Sequence, residues 1–176
     1  MDEPTIMSDP VWKGHAHVYG DDIDTDRIIA GKYTKTLNLD DLAAHVLEDL
    51  DPSFRERFVC GDIVVAGWNF GCGSSREQAP LALKTVGVSA VVAFSFARIF
   101  YRNAINVGLP VFEIKDHGII NGDLLSLAPN SGVCENHSQS KVLKSHPLPN
   151  IMLNIIKVGG LVAWMKEHKS FPETSL

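Results

Sequence analysis

The strongest constraint on the fold is the order of short apolar runs between Ile63 and Ile114. Ile63-Val64-Val65-Ala66 and Ala90-Val91-Val92-Ala93 are each uninterrupted and too short for a typical helix. Runs of this kind predict strands buried on both faces. Between them lie the loop Gly67-Trp68-Asn69-Phe70-Gly71-Cys72-Gly73 and a segment predicted as a helix from Ser75 to about Val86, closed by Gly87. A second helix is predicted around Phe96 to Ala104 and a third strand around Leu109 to Ile114. Strand–loop–helix–strand–helix–strand is the pattern of an α/β layer whose strands are at least partly parallel.

The flanks are read with the same rules. Residues 1–10 are expected to be a flexible arm, and 11–176 one domain, because 176 residues suit a single core. Small or apolar residues alternate from Trp12, which predicts a strand ending at Gly20. Asp21 to Asp26 then reads as a turn-rich acidic loop. Leu39, Leu42, Val46, Leu47 and Leu50 fall at helical spacing, with Asn38 as N-cap and Pro52 as stop. Asn121-Gly122-Asp123 predicts a tight turn between two short strands. Residues 128–147 read as polar and irregular, and Asn150 opens a last helical region interrupted by Gly159-Gly160.

Several function classes are excluded early. A net charge of -5 opposes general affinity for nucleic-acid phosphates or anionic membranes. No apolar run approaches a bilayer span, and the acidic N-terminus lacks the order of a secretory signal, so a cytoplasmic location is expected. Three widely spaced cysteines, Cys60, Cys72 and Cys134, fit neither a disulfide framework nor a structural zinc site. No metal is expected in this chain.

Chemistry concentrates in Gly71-Cys72-Gly73-Ser74-Ser75-Arg76-Glu77. The two glycines permit close backbone approach to a ligand. Free N–H groups at a helix start favour an anion, and Arg76 offers a planar fork for a carboxylate. Ser74 and Glu77 also satisfy the S-x-x-E capping box, a purely structural alternative. Pro80 sits awkwardly with a helix running from Ser75, because it cannot donate to the Arg76 carbonyl. A dinucleotide fingerprint needs glycine where Arg76 stands, a phosphate loop needs an absent Gly-Lys-Ser/Thr, and the G-x-S-x-G elbow is missing too.

GCGSSREQAP resembles the signature of the aconitase superfamily's swivelling domain, found as a separate small subunit in isopropylmalate dehydratases and homoaconitases. Two further blocks agree in order and spacing: Gly20-Asp21-Asp22-Ile23-Asp24-Thr25-Asp26-Arg27-Ile28-Ile29 upstream, and Phe96-Ala97-Arg98-Ile99-Phe100-Tyr101-Arg102-Asn103-Ala104-Ile105-Asn106 downstream. With Gly159-Gly160-Leu161, the resemblance spans roughly 14–168. It implies a single α/β domain of the aconitase-type swivelling β/β/α fold. It also implies a hydro-lyase subunit that dehydrates and rehydrates a hydroxy diacid, most directly in 3-isopropylmalate/2-isopropylmalate isomerisation in leucine biosynthesis. Subunits of homoaconitase, 2,3-dimethylmalate or methylmalate/citraconate dehydratase are alternatives, and a non-catalytic binding or assembly domain is another class. The resemblance places a [4Fe–4S] cluster in a large partner subunit and none in this chain.

The same resemblance makes Ser74 the base and gives Ser75 and Arg76 substrate binding. Gly71, Gly73, Asp24 and Asp26 become supporting loop residues. Asp24 and Asp26 could be read as a metal pair, but a short acidic loop more often caps a helix or organises a turn. His15 and His17 share a strand face and read as structural, since two ligands are an incomplete set. Arg98, Arg102 and Asn103 are expected to pack near the serine loop. Tyr33-Thr34-Lys35-Thr36 resembles the loop that distinguishes substrates. There Lys35 either pairs with a carboxylate or turns its charge to water over an apolar group.

Overall fold

The computed structural model describes residues 11–36 and 38–169. The expected arm at 1–10 lies outside them, as does the tail 170–176. Seven strands form one mixed sheet: β1 (Trp12–Val18), β2 (Ile63–Ala66), β3 (Ala90–Ala93), β4 (Val111–Glu113), β5 (Leu124–Ala128), β6 (Val133–Asn136) and β7 (Lys141–Lys144). Their order is β4-β3-β2-β1-β5-β6-β7. The first four strands in the chain are parallel, and β5 to β7 join antiparallel. The helices are α1 (Thr25–Ile28), α2 (Leu39–Ala44), α3 (Phe54–Arg57), α4 (Gln78–Val86), α5 (Arg98–Val107), α6 (Asn150–Lys157) and α7 (Leu161–His168). None among the described residues is long and apolar enough to cross a membrane.

Strand β1 belongs to both halves of the sheet. Trp12 to His15 pair with β5, whereas Ala16 to Val18 pair with β2. At the changeover sits Gly14, where a Cβ would overlap the Gly61 carbonyl and come within 2.8 Å of the Asp62 Cα. Glycine is required there by contact. Alternate residues of the parallel strands then face two cores. Val64, Ala66, Val91 and Ala93 meet the helices through Leu83 and Phe100. Ile63, Val65, Val92 and Phe112 meet Leu125 and Leu127 of the antiparallel half, which curls back over them. Both faces of β2 and β3 are thus dry, which is why these strands lack polar alternation. The layers run β/β/α, as the resemblance implied.

Four boundaries differ from the sequence expectation. Helix α2 stops at Ala44, because Leu47 adopts φ +58 and gives its N–H to the Ile28 carbonyl at 2.8 Å. The apolar spacing beyond Ala44 marks buried turn residues, not further helix. Residues 128–147 contain β6 and β7, an edge hairpin in which Cys134 and Asn136 face inward while β7 is mostly exposed. So few apolar positions carry no strand signal. The Gly122 turn exists, at φ +87, but no strand precedes it. Instead His117 accepts from the Ile119 N–H at 3.1 Å and donates Nε2–H to the Ala66 carbonyl at 3.2 Å. Helix α4 begins at Gln78, not Ser75. Pro80 then occupies the first turn, where its missing N–H costs nothing.

Candidate active site

Because β1 and β2 are adjacent and parallel, the loops that follow them emerge at one edge of the sheet. Ligands of open α/β sheets gather at this carboxyl-terminal edge. Backbone bonds fasten the two loops together: Gly71 N–H to the Ile23 carbonyl at 2.7 Å, and Thr25 N–H to the Cys72 carbonyl at 2.9 Å. Asp21 accepts from the Trp68 N–H at 2.7 Å, and Asp22 from the Asn69 amide at 2.8 Å.

The glycines serve this junction. Gly71 is at φ +78, and a Cβ there would fall on the Phe100 ring. Its close approach is to the core rather than to a ligand, which corrects that part of the sequence reading. Gly73 is at φ +93, with Asp24 Cβ 3.5 Å from where its own would stand. Each acidic residue has its own task. Asp24 caps α1 by accepting from the Arg27 N–H at 2.8 Å. Asp26 forms an ion pair with Arg76. The two do not form a metal pair.

Arg76 is thereby held on the partly exposed rim, its guanidinium also backed by Gly31, where a Cβ would lie 3.4 Å from both terminal nitrogens. Gly31 opens the short 3-10 turn Gly31–Tyr33 that leads into Lys35. Lys35 is exposed, with no hydrogen bond or ion pair among the described residues. The structure brings together Asp26, Gly31, Gly73, Ser74, Ser75 and Arg76, and leaves Lys35 at the margin.

The capping box does not form. Glu77 is the N-cap of α4 and makes no side-chain cap bond. Ser74 is fixed by its carbonyl, which accepts from the Arg76 N–H at 2.8 Å and from Thr25 Oγ at 3.2 Å. Its hydroxyl and that of Ser75 are exposed and make no hydrogen bond among the described residues. Thr25, buried beneath the serine, is the residue that sequence reasoning missed. Its position between Asp24 and Asp26 was visible, but nothing in the pattern revealed its contact 49 positions away. Arg98 and Arg102 do not pack on the loop. Both are exposed and line a separate cavity with Phe96 and Tyr101.

The cysteines do not converge. Cys60 is exposed before β2, Cys134 is buried on β6, and only Cys72 lies in the loop. Burial, then the charges of Asp24 and Asp22, raise the Cys72 thiol and keep it protonated. Burial pushes Cys134 up to about 12. Among the described residues no group of three His, Cys, Asp or Glu is placed to hold a metal. This donor set does not fit an iron–sulfur cluster.

The family model for the aconitase C-terminal domain matches residues 22–117, which include Asp24, Asp26, Gly31, Lys35 and the serine loop. The 3-isopropylmalate dehydratase small subunit of Caldicellulosiruptor bescii is 51% identical over 158 residues, covering 89% of this chain and 95% of the relative. That of Archaeoglobus fulgidus, small subunit 2, is 52% identical over 156 residues, covering 88% and 94%. The crystal structure of a Methanocaldococcus jannaschii 3-isopropylmalate dehydratase superposes with a TM-score of 0.86 at 43% identity, covering 91% of this chain and 96% of that one. On these grounds the chain belongs to the 3-isopropylmalate dehydratase small-subunit family, within the aconitase superfamily.

Proposed function

We propose that this chain is the small subunit of a cytoplasmic hydro-lyase that interconverts 2- and 3-isopropylmalate in leucine biosynthesis. In this reading it supplies the proton-transfer and carboxylate-binding half of a site shared with a large subunit. The observation that carries the reading is Ser74: its backbone is locked by Thr25 and Arg76, while its hydroxyl is uncommitted beside an arginine. Free thiols at all three cysteines suit a reducing compartment.

Dehydration removes a proton from the carbon beside a carboxylate and the hydroxyl from its neighbour. Ser74 Oγ takes the proton in its alkoxide form and returns it during rehydration. Arg76 and Ser75 orient the carboxylate whose α-carbon reacts. An alkoxide in open water is far too basic to persist at neutral pH, so its stabilisation requires fixed donors in a site from which water is excluded. On this chain alone Ser74 is exposed, and the large subunit is the surface that covers it. The [4Fe–4S] cluster is the large subunit's contribution.

The test is co-expression with a large subunit under anaerobic conditions, followed by ultraviolet detection of the unsaturated diacid from either isopropylmalate. The complex should turn over both isomers and neither subunit alone should. A complex inactive on both, or activity in this chain alone, contradicts the reading.

A further inference from the structure

The curled sheet does not close. Strand β4 is one edge and β7 the other, and between their ends runs a groove of three adjoining cavities of about 250, 380 and 470 Å³, each lined by Glu113 and His146. Its floor is apolar and aromatic, from Met152 and Leu148 to Tyr101 and Phe96. Arg98 and Arg102 stand at one end, Lys115 and Lys144 at the other. Those four cations have no ion-pair or hydrogen-bond partner among the described residues. Among the described residues one carboxylate, Glu113, lines the groove against them, on a chain whose net charge is -5.

The groove is linked to the serine loop through Phe96. Phe96 bridges to Phe70, and Gly71 follows directly. The groove and the serine loop are thus tied together through the Phe70–Phe96 bridge. Resting on the shared-site reading above, we propose that the groove receives an extended acidic segment of the large subunit, its carboxylates meeting Arg98, Arg102, Lys115 and Lys144. Unpaired cations around an elongated apolar floor match such a segment in charge and in shape. Open sheet edges accept extended chain, and complementary charge sets the encounter rate and its salt dependence.

The experiment measures the dissociation constant of the complex between the full chain and the cluster-loaded large subunit, from about 50 to 500 mM salt. The Arg98→Glu/Arg102→Glu variant should bind at least tenfold more weakly at low salt, with a flatter salt dependence. Lys144→Glu, on the exposed edge strand β7, should weaken binding in the same direction and guards against a folding defect in the first variant. Glu113→Gln should bind more tightly, and Lys13→Glu, an exposed position on the central strand β1, should match the wild type. Unchanged affinity in both reversal variants, with a sound wild-type complex, overturns the groove as the docking site. A wild-type chain that forms no complex overturns the functional reading and the groove together.

Discussion

Arg76 and Asp26 form an ion pair across the loops that follow the first two strands. They are 50 positions apart in the chain, and in the proposed site the pair would orient the guanidinium for a substrate carboxylate. Arg76 lies at the surface, so the pair itself adds little stability. Its value is orientation. A substrate carboxylate can share or replace the Asp26 oxygen while the fork stays in place.

Arg76→Lys keeps the charge but loses the bidentate geometry. A charge-assisted hydrogen bond contributes about 1.5–3 kcal/mol, so the assembled variant should show KM raised roughly 10- to 100-fold. Steady-state kinetics on 2-isopropylmalate checks this, and an unchanged KM would remove Arg76 from carboxylate binding.

Gly71→Ala places a methyl on the Phe100 ring at a position with φ +78. Overpacking typically costs about 1–3 kcal/mol, and the left-handed backbone adds about 1–2 kcal/mol for a residue with a Cβ. Denaturant unfolding should therefore show a loss of about 2–5 kcal/mol. A loss under about 1 kcal/mol, below the lower end of either contribution, would mean that the loop does not rest on Phe100.

Much of this is legible in the sequence. The apolar runs at Ile63 and Ala90 announced parallel buried strands, and Asn38 capped its helix as its side chain suggested. The signal failed where tertiary contacts outweigh local pattern. Leu47 keeps helical spacing yet turns the chain, because its N–H is taken by Ile28. Strand β7 hid because three of its four residues face water. Ser74 and Glu77 matched a capping box, but Pro80 delays the helix, and the contact with Thr25 is long-range by nature.

His117 is buried, and both ring nitrogens are used. Burial lowers its pKa, and the Ala66 carbonyl and Asp116, which act to raise it, do not compensate. Protonation would break the bond accepted from Ile119. A folded-state value below the unfolded one means that the unfolded chain binds more protons as pH falls below about 6.5. His117 thus favours folding fully above that pH, and this is lost progressively below it, at no more than about 1.4 kcal/mol per pH unit. Thermal melts of wild type and His117→Gln from pH 7.5 to 5 should show a shallower decline in the variant. Parallel curves would contradict the assignment.

Among the described residues Lys35 has no partner to hold its charge near a distal group. We propose that with isopropylmalate as substrate its stem covers the alkyl tail while its ammonium stays in water. Lys35→Leu should therefore keep kcat/KM for 2-isopropylmalate within about threefold, a change below 1 kcal/mol. A larger fall would place the charge in direct contact with substrate.

The central claim is that the Ser74 hydroxyl moves the proton, and the kcat of the assembled Ser74→Ala enzyme tests it most directly. Because the side chain makes no cap bond, its removal should leave Tm and subunit affinity nearly unchanged. Loss of a general base costs about 10²–10⁴ in rate. With the large subunit and its cluster shown to be intact, kcat should fall to about a hundredth of wild type or less. If the variant keeps more than about a tenth of wild-type kcat, well above what loss of a general base leaves, Ser74 is not the base.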